Sequence, residues 1–246
     1  MRATAQLNLK KPEVPADYRP AVMSLLKSGL TVYSNGQFFS EFYDGSAKTK
    51  PLCFSVGFPR GVKFQKDKVL LPAESTYIKV TFSSGDRKTG ILLYNALRQT
   101  QGKSRPLADG NEMILTKLYA PPEPVLNSTT QMLAKALSPI CVRVKDDGKR
   151  QYASVAQPDF EEKLREQLAR RFRDNSSITD EAIKTFHFFP VQAHKTVALH
   201  FGQKIECSVG TAVISGVPAL LYEIYENGLG SRCSNGFGLL QILQQK

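Results

Sequence analysis

The chain has 246 residues, enough for one large domain or two small ones, and 41% of them are apolar, so it can bury real cores and is not globally disordered. Its 33 basic residues against 22 acidic ones leave a net charge of +11, concentrated before Pro124, which favours a polyanionic partner. No segment approaches the length of a membrane span, and because Arg2 to Lys10 alternates and then meets Lys11-Pro12, no signal peptide is expected. Cys53, Cys141, Cys207 and Cys233 stand far apart with no C-x-x-C pair, so the expectation is a cytoplasmic protein with buried thiols and no membrane association.

Ala3, Ala5, Leu7 and Leu9 alternate with polar residues, as in a half-buried first strand. Lys10 to Pro15 reads as a turn. Val22, Leu25, Leu26 and Leu30 then recur at helical spacing over 18–30. Residues 31–50 are irregular and hold Tyr33, Phe38, Phe39, Phe42, Tyr43, Lys48 and Lys50. Strands are expected over 52–58, in a hairpin of 62–68 with 69–71, and over 76–82. A helix follows over 86–100, capped by Ser84 or Asp86, and a strand over 113–118. Tyr119-Ala-Pro-Pro-Glu-Pro interrupts every pattern and marks a boundary.

The second half repeats the order. Residues 132–145 read as one strand bulged at Ser138-Pro139, closed by the turn signal Asp146-Asp147-Gly148-Lys149. Residues 159–173 form a charged amphipathic helix with Phe160, Leu164, Leu168 and Phe172 on its apolar face. Strands are expected over 182–189, 196–201 and 205–215, then a helix over 217–225 ending at Gly228. Two tandem β-α-β-β-α-β units are the simplest α+β account: a first domain over 1–120, a proline-rich linker over 121–130 and a second domain over 131–246.

Residues 226–238 read ENGLGSRCSNGFG: Gly228, Gly230, Gly236 and Gly238 surround Arg232, and an apolar final strand follows. Glycines permit left-handed backbone and close approach. Successive amides in such a loop can hold an anion, with Arg232 as a charged fork beside them. This stretch closely resembles the terminal glycine-rich motif of the CRISPR repeat-processing endoribonucleases, members of the repeat-associated RNA-binding superfamily. Gly228, Gly230, Arg232, Gly236, Phe237 and Gly238 match position for position. Leu137-Ser138-Pro139-Ile140 and Lys50-Pro51-Leu52-Cys53-Phe54-Ser55 resemble further family segments more loosely. The resemblance implies two ferredoxin-like domains, binding of CRISPR repeat RNA in the precursor transcript, and sequence-specific, metal-independent cleavage with no cofactor.

RNA can be cut without a metal because its 2′-hydroxyl is a tethered nucleophile. A base takes the 2′ proton, cations steady the charge on phosphorus, and an acid protonates the leaving 5′ oxygen, giving a 2′,3′-cyclic phosphate and a 5′-hydroxyl. The family usually supplies a histidine after the first helix. Here 31–50 contains none, so the candidates for catalysis are Tyr33, Lys50, Tyr43 and Lys48, in that order. Free tyrosine and lysine hold their protons at pH 7, so slow, electrostatically driven cleavage is expected. Arg60, Lys63, Lys66 and Lys68 crowd two strands and a turn and form the expected RNA track, with Phe38, Phe39 and Phe42 as stacking platforms or core. Arg170, Arg171 and Arg173 read equally as phosphate contacts or a solvated face. His187, His194 and His200 make a weak metal case without a supporting acidic or thiol cluster. Two alternatives stay open: repeat-RNA binding without turnover, for which the missing histidine argues, and a structural subunit of an RNA-guided interference complex. Homodimerisation also stays open.

Overall fold

A computed structural model describes residues 1–43, 50–146, 149–173 and 177–246. The chain divides into two compact units. The first comprises Met1–Pro51, Val56–Pro122 and Leu199–Gln203, the second Leu52–Ser55, Glu123–Ala198 and Lys204–Lys246.

Up to Pro122 the chain runs β1 (Arg2–Leu9), β2 (Glu13–Pro15), α1 (Arg19–Val32), a 3-10 turn (Tyr33–Gly36), α2 (Phe39–Phe42), β3 (Cys53–Gly57), of which Cys53, Phe54 and Ser55 belong to the second unit, β4 (Lys63–Phe64), β5 (Lys68–Leu70), β6 (Tyr77–Ser83), α3 (Arg87–Thr100), β7 (Ser104–Pro106) and β8 (Glu112–Tyr119). The main sheet has the order β3-β6-β1-β8-β7, and a small second sheet has the order β2-β5-β4. The strand β1 pairs antiparallel with β6 and β8, so it is central and buries Ala3, Ala5, Leu7 and Leu9. In α1, Pro20 occupies the first turn, where a missing amide costs nothing, and the helix buries Val22, Leu25, Leu26 and Leu30. Gly29 lets α1 approach α3 closely: a Cβ there would stand 2.6 Å from the Ala96 carbonyl oxygen. The Asp86 side chain caps α3, accepting from the Thr89 amide at 2.9 Å.

The second unit runs β9 (Gln131–Ala136), β10 (Val142–Asp146), β11 (Lys149–Ala153), α4 (Phe160–Phe172), α5 (Asp180–Lys184), β12 (His187–His200), β13 (Gln203–Ser215), α6 (Pro218–Asn227) and β14 (Leu240–Gln245). Its main sheet has the order β12-β13-β9-β14, and β10 and β11 form a separate two-stranded sheet. Setting the accessory strands aside, both units place their four main strands in one permutation: second, third, first, fourth. The apolar stripe of α4, Phe160, Leu164, Leu168 and Phe172, packs in one core with Leu220, Leu221 and Ile224 of α6 and Met132, Ala134 and Ile214 of the sheet. Each fully buried leucine of this kind contributes roughly 1.5–3 kcal/mol.

Several expected elements change. The single strand over 132–145 is two strands in different sheets, β9 and β10, because Pro139 cannot donate and the chain turns away at Ser138-Pro139. The strand expected from 182 begins at His187; before it lies α5, capped by the Thr179 hydroxyl, which accepts from the Ala182 amide at 3.1 Å. The strands expected over 182–189 and 196–201 are one long β12. The short strand β2, read as part of a turn, and β7, in a stretch given no element, add edges to their sheets. No described helix is long and apolar enough to cross a membrane.

Candidate functional site

Tyr33, Tyr43 and Lys50, three of the candidate catalytic residues, follow α1 in the first unit. The helix ends at Tyr33, and Ser34 and Asn35 follow with φ of 51° and 53°. Two consecutive non-glycine residues in the left-handed region store local strain, which Asn tolerates better than most. This turn presents Tyr33 half-buried. Its phenol oxygen accepts from Asn95 Nδ2 of α3 at 3.3 Å, and its ring stacks on Phe38 at 6.0 Å between centroids. Because Asn95 donates, the phenol's own proton is left to point at another acceptor.

Tyr43 sits between two cations. Lys50 Nζ lies 3.9 Å and Lys27 Nζ 4.8 Å from its ring centroid, both in cation–π range, and Phe39 packs on the same ring at 5.3 Å. Burial pushes the Tyr43 phenol above its ordinary value, which makes it a poorer base than the free residue. Lys88 of α3 reaches Glu41 at 2.8 Å, close by on α2. Lys48 lies outside the described residues. Of the three phenylalanines expected to stack or fill the core, Phe42 is buried, while Phe38 and Phe39 fix the two tyrosine rings.

The expected RNA track falls on and beside the small sheet. Arg60 is exposed in the turn before β4, Lys63 is exposed on β4, and Lys66 is exposed between β4 and β5. Lys68 on β5 is tied to Glu13 of β2 at 3.0 Å, so part of its charge is neutralised.

In the second unit, the glycine-rich loop has a different character from the anion cradle its sequence suggests. Gly228, Gly230, Gly236 and Gly238 are all buried with positive φ. A Cβ would stand 2.6 Å from Cys53 Sγ at Gly228, 2.5 Å from the Cys141 carbonyl oxygen at Gly230 and 2.6 Å from the Phe54 ring at Gly236; at Gly238 it would fall on the Leu229 carbonyl. The loop's amides are engaged within the protein: Leu229 donates to the Gly238 carbonyl at 2.9 Å, Gly236 to Cys233 at 3.0 Å and Gly238 to Pro139 at 2.9 Å. The Leu137-Ser138-Pro139-Ile140 stretch is thus the loop's partner, and the Ser138 hydroxyl also accepts from the Leu239 amide at 2.9 Å. What the loop offers outward is Arg232, half-buried in left-handed backbone at φ 60°, donating to the Tyr152 hydroxyl at 2.7 Å.

Arg171 is engaged in structure. Its guanidinium donates to the carbonyls of Gly228 at 2.6 Å and Asn227 at 3.2 Å, satisfying and charge-complementing the end of α6. Arg170 donates to the Arg143 carbonyl at 3.1 Å and pairs with Glu166. The four cysteines are free and buried. A hydrogen bond with Cys53, helped by the Arg171 charge, brings the Cys233 thiol down to about 7, whereas the hydrogen bond with Cys207 and burial drive Cys141 well up. The histidines are dispersed. His187 faces Glu161 at 3.2 Å, His194 is exposed on β12, and His200 is buried 4.0 Å from Asp17. His194 and His200, six apart on one strand, differ completely in exposure. Among the described residues, no group of three His, Cys, Asp or Glu is placed to hold a metal ion.

Asn95 and Lys27 escape sequence reasoning. Asn95 lies 62 positions from Tyr33, and only the α1–α3 packing at Gly29 and Ala96 brings them together. No local pattern marks either residue.

Residues 120–242 match the family model described as CRISPR associated protein Cas6, C-terminal. No curated protein sequence matches the chain. Among solved structures, the chain is similar to the product of a Cas6-related gene from Pyrococcus furiosus at 17% identity, covering 100% of this chain and 99% of that one with a TM-score of 0.84. A protein described as an RAMP protein binding different RNA substrates is 18% identical over 99% and 100% of the two chains, with a TM-score of 0.82. Thermus thermophilus Cas6 is 13% identical over 98% and 97%, with a TM-score of 0.57.

Proposed function

Since the chain belongs to the CRISPR-associated Cas6 family, the endoribonucleases that process CRISPR repeat RNA, we propose that it cuts repeat RNA through Tyr33, aided by the lysines beside Tyr43. The observation that carries this reading is the Asn95–Tyr33 hydrogen bond. With Asn95 donating, the Tyr33 O–H is free to donate to a phosphate oxygen or to the leaving 5′ oxygen. The 2′-hydroxyl is the nucleophile; it attacks phosphorus as its proton leaves, the bond to the 5′ oxygen breaks, and that oxygen takes a proton. The products carry a 2′,3′-cyclic phosphate and a 5′-hydroxyl. Lys50 and Lys27 supply the positive field that steadies charge on the phosphoryl oxygens. Tyr43, with its phenol pushed up, orients these two ammonium groups. The tethered nucleophile makes the chemistry metal-independent in this reading.

Both units are read here as ferredoxin-like, supported by their common β-α-β-β-α-β order and strand permutation, with domains over 1–120 and 131–246 and a linker over 121–130. Arg60, Lys63 and Lys66 are proposed phosphate contacts in the first unit and Arg232 in the second, whereas the four loop glycines act by shaping the loop. A second reading, repeat-RNA binding without turnover, draws on the lack of any histidine in the sequence over 31–50.

The test uses protein in excess over an end-labelled repeat RNA, with chelator present, beside copies carrying one 2′-deoxy substitution each. A single cut that survives chelator and vanishes with one substitution supports 2′-hydroxyl attack. Saturable binding with intact RNA after hours supports the second reading and makes Tyr33 a contact.

A further inference from the structure

The small β2-β5-β4 sheet holds an aromatic feature outside the machinery described above. Phe64, on the two-residue strand β4, is 66% exposed. A lone exposed apolar side chain needs no explanation, but this ring is held in place. It meets Phe58 near-perpendicularly, at 83° and 5.7 Å between centroids, and Phe58 meets Tyr18 in turn at 78° and 5.1 Å. Tyr18 is the anchored end: burial raises its phenol, and the Arg19 guanidinium lies 4.8 Å from its ring. The three rings form a ladder in which Tyr18 and Phe58 are half-buried and Phe64 is exposed. A perpendicular contact occupies at most one face of Phe64, so the other is presented to solvent in a fixed orientation.

The charges around this ring match one occupant. Arg60, Lys63 and Lys66 are exposed within four residues of Phe64. The acids nearby are Asp67, also exposed, and Glu13, which is paired to Lys68. A rigid aromatic face bordered by several cations is how proteins hold single-stranded nucleic acid: the cations follow the backbone while the ring stacks on a base. A protein partner docking on apolar surface would not need that excess of positive charge.

We infer that Phe64 is a stacking platform for an unpaired base of the bound RNA, with Arg60, Lys63 and Lys66 guiding the adjoining phosphates. This rests on the RNA-binding reading above and adds a base-contacting residue to it. A stacking contact favours unpaired RNA over duplex, so this face takes a single-stranded part of the repeat.

The test is fluorescence anisotropy of the full chain with three labelled 15-mers: oligoadenylate, oligouridylate and a base-free ribose-phosphate strand. Phe64→Ala is expected to weaken binding of both base-bearing strands about tenfold, the scale of one lost base–aromatic stack. It should leave the base-free strand and the melting temperature unchanged. Phe64→Leu, which keeps apolar bulk without a π face, should lose as much, and Phe64→Trp should restore binding. Lys63→Ala should weaken all three strands alike. Parental affinity of Phe64→Ala for oligoadenylate and oligouridylate, or parental binding by Phe64→Leu, would overturn the inference while leaving RNA binding intact. Equal losses on the base-free strand would also overturn it. If the parent bound repeat RNA but none of these strands, the platform would be overturned alone; if it bound repeat RNA no better, the RNA-binding reading itself would fall.

Discussion

Two regions of this molecule drew attention in the sequence, and the structure gives them opposite characters. The segment after α1 is irregular, half-exposed and strained at Ser34 and Asn35. The glycines of the glycine-rich loop are buried, and its amides donate to the Gly238, Cys141, Arg232, Cys233 and Pro139 carbonyls. One region carries the side chains proposed to meet RNA; the other uses its backbone for architecture and leaves one arginine half-exposed. Glycine richness near a ligand site therefore has two physical readings, and what a Cβ would strike separates them.

The largest expected effect breaks the loop. Gly238→Ala places a methyl group on the Leu229 carbonyl in backbone at φ 73°, so it should cost about 2–4 kcal/mol. Gly202→Ala makes the matched comparison. It has φ 70° but nothing within 4 Å of the added carbon, so it carries only the left-handed penalty of about 1–2 kcal/mol. Denaturant unfolding of the two variants measures the difference. Equal losses would mean that the loop is not closely packed and would reopen the anion-cradle reading.

Substitution in the other region should do the reverse. Tyr33→Phe keeps the ring and its stack on Phe38 but removes the hydroxyl beside Asn95. Single-turnover cleavage should slow about 100-fold, the low end for lost proton-transfer catalysis, or about 2.7 kcal/mol in barrier, with RNA affinity and unfolding midpoint unchanged. A rate equal to the parent's would remove Tyr33 from the chemistry. Tyr43→Phe should change the rate far less, because the ring that orients Lys27 and Lys50 survives.

How much of this could be read from the sequence depends on how local the cause is. The period of Val22, Leu25, Leu26 and Leu30 and the capping aspartate Asp86 gave α1 and α3, because helices are specified by neighbours. The glycine motif identified the family for the same reason. The role of its glycines was not legible, since it depends on Cys53, Phe54 and Cys141, far away in the chain. The boundary between α5 and β12 was lost because Ala182 and Ile183 suit either state and only the Thr179 cap decides. Asn95 could not be found at all: its partner is set by two helices crossing at Gly29, a contact no local window contains.

Arg232→Ala sharpens the comparison from the loop's outward side. Its guanidinium holds the Tyr152 hydroxyl at 2.7 Å, a half-exposed contact worth little to the fold, whereas a lost phosphate contact lowers affinity uniformly across sequences. Affinity should fall about threefold to tenfold, and the slope of log affinity against log salt should flatten by about one. An unchanged slope would leave the whole loop as architecture.

The smallest effect expected comes from the cap of α3, the helix that carries Asn95. Asp86→Ala removes the acceptor for the Thr89 amide and hydroxyl, a loss of about 1 kcal/mol at pH 7. The Thr89 hydroxyl and amide hold the Asp86 carboxyl below its ordinary value. A carboxylate depressed on folding contributes stability that is complete above its unfolded pKa, about 3.9, and is lost as pH falls through the lower folded value. The gap between parent and variant should therefore close as the pH is taken below about 4. At neutral pH, cleavage by Asp86→Ala should stay within about twofold of the parent, because a cap acts on the first turn of a helix and Asn95 lies two turns further on. A large loss of rate with little loss of stability would instead mean that the position of α3 itself limits the chemistry, and that the first region is less independent of its scaffold than its exposed side chains suggest.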